Sequence, residues 1–127
     1  MNKCKIGFLP LYIKLYDDCG LTIRERLEPF YEKLATAFEE DGFSVLRTSF
    51  CRVKEEFAAA IAMFEENDVD CIVTWHAAYS PSLESIGALS QTKLPIVVLD
   101  TTETFDFSPA QSPDEININH GIHGVID

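Results

Sequence analysis

Residues 70–81 read DCIVTWHAAYSP, an apolar run that closes on a polar, aromatic tip and then on Ser80-Pro81. Cys71-Ile72-Val73 is continuously apolar, the pattern of a strand covered by helices on both faces. Thr74, Trp75, His76 and Tyr79 follow where such a strand is expected to end. In open α/β sheets the carboxyl ends of the strands are where ligands bind. Ser80 before Pro81 predicts an N-cap and a first helical position, with Leu83, Ile86 and Leu89 as the buried face of the next helix.

Working outward toward the N-terminus, Val53, Phe57, Ala60, Ile61 and Phe64 recur at helical spacing and predict a helix ending near Asn67. Residues 43–48, FSVLRT, mix polar and apolar side chains as an edge strand does. Before them, Thr22 and Glu25 have capping-box spacing. Ile23, Leu27, Phe30, Tyr31, Leu34, Ala37 and Phe38 then form one helical stripe, which Pro29 is expected to kink or restart near Glu28 and Gly42 to end. Residues 5–9, KIGFL, predict a first strand stopped by Pro10, which has no amide hydrogen, and residues 11–20 a loop or short turn. Toward the C-terminus, residues 95–99, PIVVL, predict a fourth strand, and residues 104–117, TFDFSPAQSPDEIN, a long surface loop. The order βαβαβαβ requires crossover helices and a parallel sheet. The expected fold is thus a single α/β domain over residues 1–127, a flavodoxin-like or Rossmann-like three-layer sandwich with strand order 2-1-3-4.

A formal net charge of −11 argues against a nucleic-acid partner, because binders of phosphate backbones concentrate Lys and Arg. No stretch is long and apolar enough to span a membrane, and the N-terminus lacks the apolar core of a signal peptide. Cys4, Cys19, Cys51 and Cys71 show neither CxxC nor metal-ligand spacing, so free thiols in a reducing cytoplasm are expected.

In strand order 2-1-3-4 the switch point falls between the first and third strands, and Tyr12, Lys14, Trp75 and His76 would flank one crevice there. An aromatic surface beside polar groups is what a sugar ring packs against. The competing reading is that Trp75 and Tyr79 cap the hydrophobic core. Nucleotide binding is disfavoured because Gly7 and Gly20 form no GxGxxG or P-loop. Asp17, Asp18 and Asp100 form an acidic group at strand ends, but a phosphoacceptor would stand at the end of the third strand, where Thr74-Trp75-His76 lies. His120 and His123, three apart, would share a helix face. Two imidazoles are too few for a closed metal site, so His120 is expected to hydrogen-bond or exchange protons with a polar ligand.

IGFLPLYIKLYD, VTWHAAYSPSLESI, PIVVLDTTETFDF and NHGIHGVID together resemble the N-terminal domain of the L-fucose and L-arabinose isomerase family. The resemblance implies a longer, multidomain, homo-oligomeric enzyme that interconverts aldoses and ketoses with manganese held by later domains. This domain would bind no cofactor and be inactive alone, lending contacts to a monosaccharide in a neighbouring subunit's site. By the matching motifs, Trp75 would be the aromatic sugar contact, His120 the histidine at the site edge, and Tyr12 or Lys14 the polar contact. The residues alone also allow a stand-alone flavodoxin-like domain that binds a small molecule or regulates. Ile116, Ile118, Ile122, Val125 and Ile126 are expected to expose apolar surface through which the domain self-associates.

Overall fold

The structure is a computed structural model and describes residues 2–127. Strands β1 (Lys5–Leu11), β2 (Ser44–Arg47), β3 (Cys71–His76) and β4 (Ile96–Leu99) form one parallel sheet in the order β2-β1-β3-β4, as the crossover pattern requires. β1 does not stop at Pro10 but runs on to Leu11. Phe8 lies opposite Arg47, the last residue of β2, so the amide that Pro10 lacks would point past the end of its neighbour. The proline carbonyl is still used, accepting from the Cys51 amide at 3.0 Å.

The helices are α1 (Lys14–Asp18), α2 (Ile23–Glu40), α3 (Lys54–Glu66), α4 (Ser82–Gln91) and α5 (Gly121–Ile126), with a 3-10 turn at Pro113–Ile118. α1 occupies the segment expected to be a loop. α2 is continuous past Pro29, whose place on the exposed face leaves the unpaired carbonyl of Glu25 open to water. Thr22 makes no side-chain cap bond, so the expected capping box does not form. The other end follows the sequence closely. Gly42 has φ +95°, its amide donates to Glu39, the Phe43 amide donates to Phe38, and the two phenyl rings meet edge to face at 6.3 Å. That is a Schellman motif with its apolar contact. No helix among the described residues is long and apolar enough to cross a membrane.

Alternate residues of β1 and β3 feed two cores on opposite faces of the sheet. Ile6, Phe8, Val73 and Trp75 join Phe30 and Tyr31 of α2, while Leu9, Leu11 and Ile72 join Phe57, Ile61 and Phe64 of α3. α4 is rotated from its expected setting: Leu83 and Ile86 are 75% and 54% exposed, whereas Ser85 is buried and Ala88 and Leu89 pack toward the α3 core. The small Ser85 and Ala88 form an i, i+3 stripe that lets α4 lie against α3, its main helical contact. Of the C-terminal isoleucines, Ile118 is in the core on the α2 side, while Ile116, Ile122 and Ile126 are exposed.

Candidate functional site

Trp75 is 1% exposed and offers no surface to a ligand, which corrects its expected place at an aromatic tip. The reason is the length of β3: the strand continues through His76, so position 75 is still inside the sheet and faces the α2 core. Its ring stacks on Tyr31 at 6.0 Å and meets the edges of Phe30 and Phe50, and its indole nitrogen donates to the Thr101 carbonyl at 3.0 Å. Tyr12 is likewise buried, between Tyr16 and Phe50 with the Arg24 guanidinium 5.0 Å from the ring centre. Its hydroxyl has no hydrogen-bond partner, and burial, reinforced by Asp17, pushes the phenol up to about 12. The crevice expected between β1 and β3 is filled; the Ala77 amide donates to the Leu11 carbonyl at 2.9 Å and carries the pairing one residue past the end of β3. Lys14 stands apart on α1, exposed, its ammonium 2.6 Å from the Asp18 carboxylate.

His76 is half-buried, and its Nδ1 shares a 2.8 Å hydrogen bond with Ser80 Oγ. Ser80 therefore does not cap α4: the N-cap position is Pro81, and the serine hydroxyl turns back to the imidazole. Burial lowers the His76 pKa, and the charge of Asp100 opposes that shift. α5 is seated directly on this pair. A Cβ at Gly124 would lie 2.7 Å from His76 Nδ1 and 2.9 Å from Ser80 Oγ, and one at Gly121 would overlap the His76 carbonyl oxygen. At the other end of the contact, the Asp127 carboxylate accepts from the Ser82 amide at 3.0 Å. The two glycines of HGIHG thus serve close approach.

That seating brings His120 and His123 to the carboxyl edge of β3. Their rings meet edge to face at 4.0 Å, with Tyr79 at 6.0 Å from His120. Burial, and then the neighbouring His123, lower the His120 pKa. Just before them in the chain, Asn119 Oδ1 is buried without a partner while its Nδ2 donates to the Glu115 carbonyl at 2.9 Å, and Asn117 Oδ1 accepts from the Tyr16 hydroxyl at 3.4 Å. The partly exposed aromatic and polar surface of the edge is therefore built by Tyr79, His120 and His123 rather than by Trp75 and Tyr12. Tyr79 was visible in the sequence as part of the tip; only the docking of α5 shows that it stands beside His120. Among the described residues no three His, Cys, Asp or Glu side chains are grouped as a metal would require.

Of a second polar cluster the sequence singled out only Asp17, and not its arginine partners. Asp17 receives Arg24 at 2.6 Å and Arg52 at 3.0 Å, and Arg52 also holds Glu56 at 2.5 Å, tying α1, α2 and α3 together. The Arg24 hydrogen bond leads in holding the Asp17 carboxyl below its usual range. With two guanidiniums on it, Asp17 serves as a structural anchor. In comparison with known proteins, no family model matches the chain and no curated protein does.

Proposed function

We propose that this domain is the substrate-lending N-terminal part of a metal-dependent aldose–ketose isomerase of the L-fucose and L-arabinose type, inactive alone. The observation that carries the reading is the surface of Tyr79, His120 and His123 at the carboxyl edge of β3. The motif NHGIHGVID, which bears the family resemblance, contributes both histidines and the glycines that seat them. Aromatic and imidazole faces suit the apolar face of a sugar ring, and ring nitrogens suit its hydroxyls. Burial and the neighbouring His123 lower the His120 pKa, which favours the neutral imidazole, able both to donate and to accept. Of the five residues proposed from the sequence, His120 carries the contact, His76 supports it from beneath α5, Trp75 and Tyr12 support the core, and Lys14 stands apart, paired with Asp18.

Two imidazoles are too few for a closed metal site, and the manganese of such an isomerase would be held by its later domains. The test is an imidazole NMR titration with L-fucose and with L-arabinose. The His120 and His123 resonances should shift with sugar, and His120→Ala should abolish the response at His123. The same samples supplied with manganese should show no isomerisation. Absence of any histidine shift at high sugar concentration, or clear turnover by the domain alone, would overturn the proposal.

A further inference from the structure

The sheet ends at two strands, β2 and β4, and of the two β4 leaves its apolar side chains the more exposed. The Ile72 amide donates to the Pro95 carbonyl at 2.8 Å, and the alternation of a parallel ladder then turns the amides and carbonyls of Ile96 and Val98 away from β3. Among the described residues no strand lies beyond β4 to receive them. Natural edges are commonly guarded by charge, proline or a covering element. Here Val97 and Val98 are each 53% exposed, and α4, which leads into β4, leaves Leu83 and Ile86 exposed as well.

Charge says what fits this edge. The chain carries 21 acidic against 10 basic residues, yet residues 85–99 hold no acid and Lys93 is their only charge. The comparably long acid-free run, residues 1–16, contains the buried β1. β4 is thus an exposed strand spared the repulsion that the rest of the surface would impose on a second copy of the same chain. Its flanks are self-complementary too: Lys93 precedes the strand and Asp100 follows it, so antiparallel pairing of two copies brings opposite charges together, whereas parallel pairing aligns like with like.

We propose that β4 is a self-docking edge, through which two copies of this chain pair antiparallel about a twofold axis at Val97 and extend the sheet from four strands to eight. An axis normal to the sheet keeps each face on its own side, so paired positions must share a face. Centred on Val97, Ile96 of each copy lies opposite Val98 of the other. Those are the residues whose backbone groups point outward, and each such pair exchanges two hydrogen bonds. Val97 meets its counterpart at the non-hydrogen-bonded position, where side chains approach most closely. The inference does not rest on the sugar reading.

Sedimentation of the 127-residue chain over a dilution series tests it, with a dimer expected at the concentrated end. Val98→Pro deletes an outward amide and leaves the β3 ladder intact; it should give a monomer with an unchanged far-UV spectrum. In a background with the exposed Cys4 and Cys19 replaced by Ser, Val97→Cys should form a disulfide-linked dimer on mild oxidation and Val98→Cys should not. A chain that is monomeric throughout, or a dimer that survives Val98→Pro and does not cross-link at position 97, would overturn the proposal.

Discussion

Gly121 and Gly124 are the residues on which the candidate site turns, and they act by lacking a side chain. At Gly124 the obstacles to a Cβ are the His76 ring and the Ser80 hydroxyl, groups that can move a little; at Gly121 the obstacle is backbone. Gly124→Ala should therefore cost about 1–3 kcal/mol, typical of overpacking, and break the His76–Ser80 hydrogen bond. Gly121→Ala should cost more and release α5. Urea titration gives the stabilities, and hydrogen exchange at α5 shows the release; equal, small effects would contradict the close approach. His76 itself predicts a pH dependence. Its pKa is lowered from the ordinary 6.5, mainly by burial, so below about that pH the unfolded chain takes up a proton that the folded chain resists. Its contribution to stability is then full above pH 6.5 and declines as pH falls through that value toward the folded pKa. An NMR titration should place its midpoint below that of an ordinary histidine, and His76→Gln should flatten this part of the stability profile.

At the scale of elements, the end of α2 shows a glycine acting in a different way. A Cβ on Gly42 would touch nothing, but its backbone is left-handed at φ +95°. Gly42→Ala should cost about 1 kcal/mol through backbone strain alone, leaving the Phe38–Phe43 contact in place. A matched thermal melt checks the magnitude, and unchanged stability would remove the strain argument. Both the Schellman motif and the extent of α3 were legible in the chain because they depend on spacing within a few residues. The unbroken course of α2 through Pro29 was not, because whether a proline ends a helix depends on whether water or protein receives the orphaned carbonyl. The rotation of α4 has a similar origin: Leu83, Ile86 and Leu89 and the smaller Ser85, Ala88 and Leu89 are both helical stripes, and the surface of α3 selects the second.

At the scale of the molecule, the α2-side core is centred on Trp75, the chain's one tryptophan. Its fluorescence should be blue-shifted and protected from aqueous quenchers in the folded state, moving to the red on unfolding. Trp75→Ala should cost about 3–5 kcal/mol, a large share of the roughly 5–15 kcal/mol that holds a domain of this kind together. A red-shifted, quencher-accessible native tryptophan would place the ring at the surface and restore it as a ligand contact.

The sequence by itself determined the succession of strands and helices, and with it the parallel sheet and its two helical layers, because runs such as CIVTW and stripes such as Phe57, Ile61 and Phe64 carry their period within a few residues. It also marked the carboxyl end of the third strand and the HGIHG segment as the places to look. Tertiary structure alone decided which side chains remain available there. Trp75 and Tyr12 are aromatic residues near strand ends, but the pairing of β1 with β3 runs on past the apolar segments and takes both rings into the core. His120 and Tyr79, some forty residues apart in the chain, meet because two absent side chains let α5 settle on His76. Burial and contact at such positions depend on how far neighbouring strands extend and how closely a distant helix approaches, and neither is encoded in the local periodicity of the residues concerned.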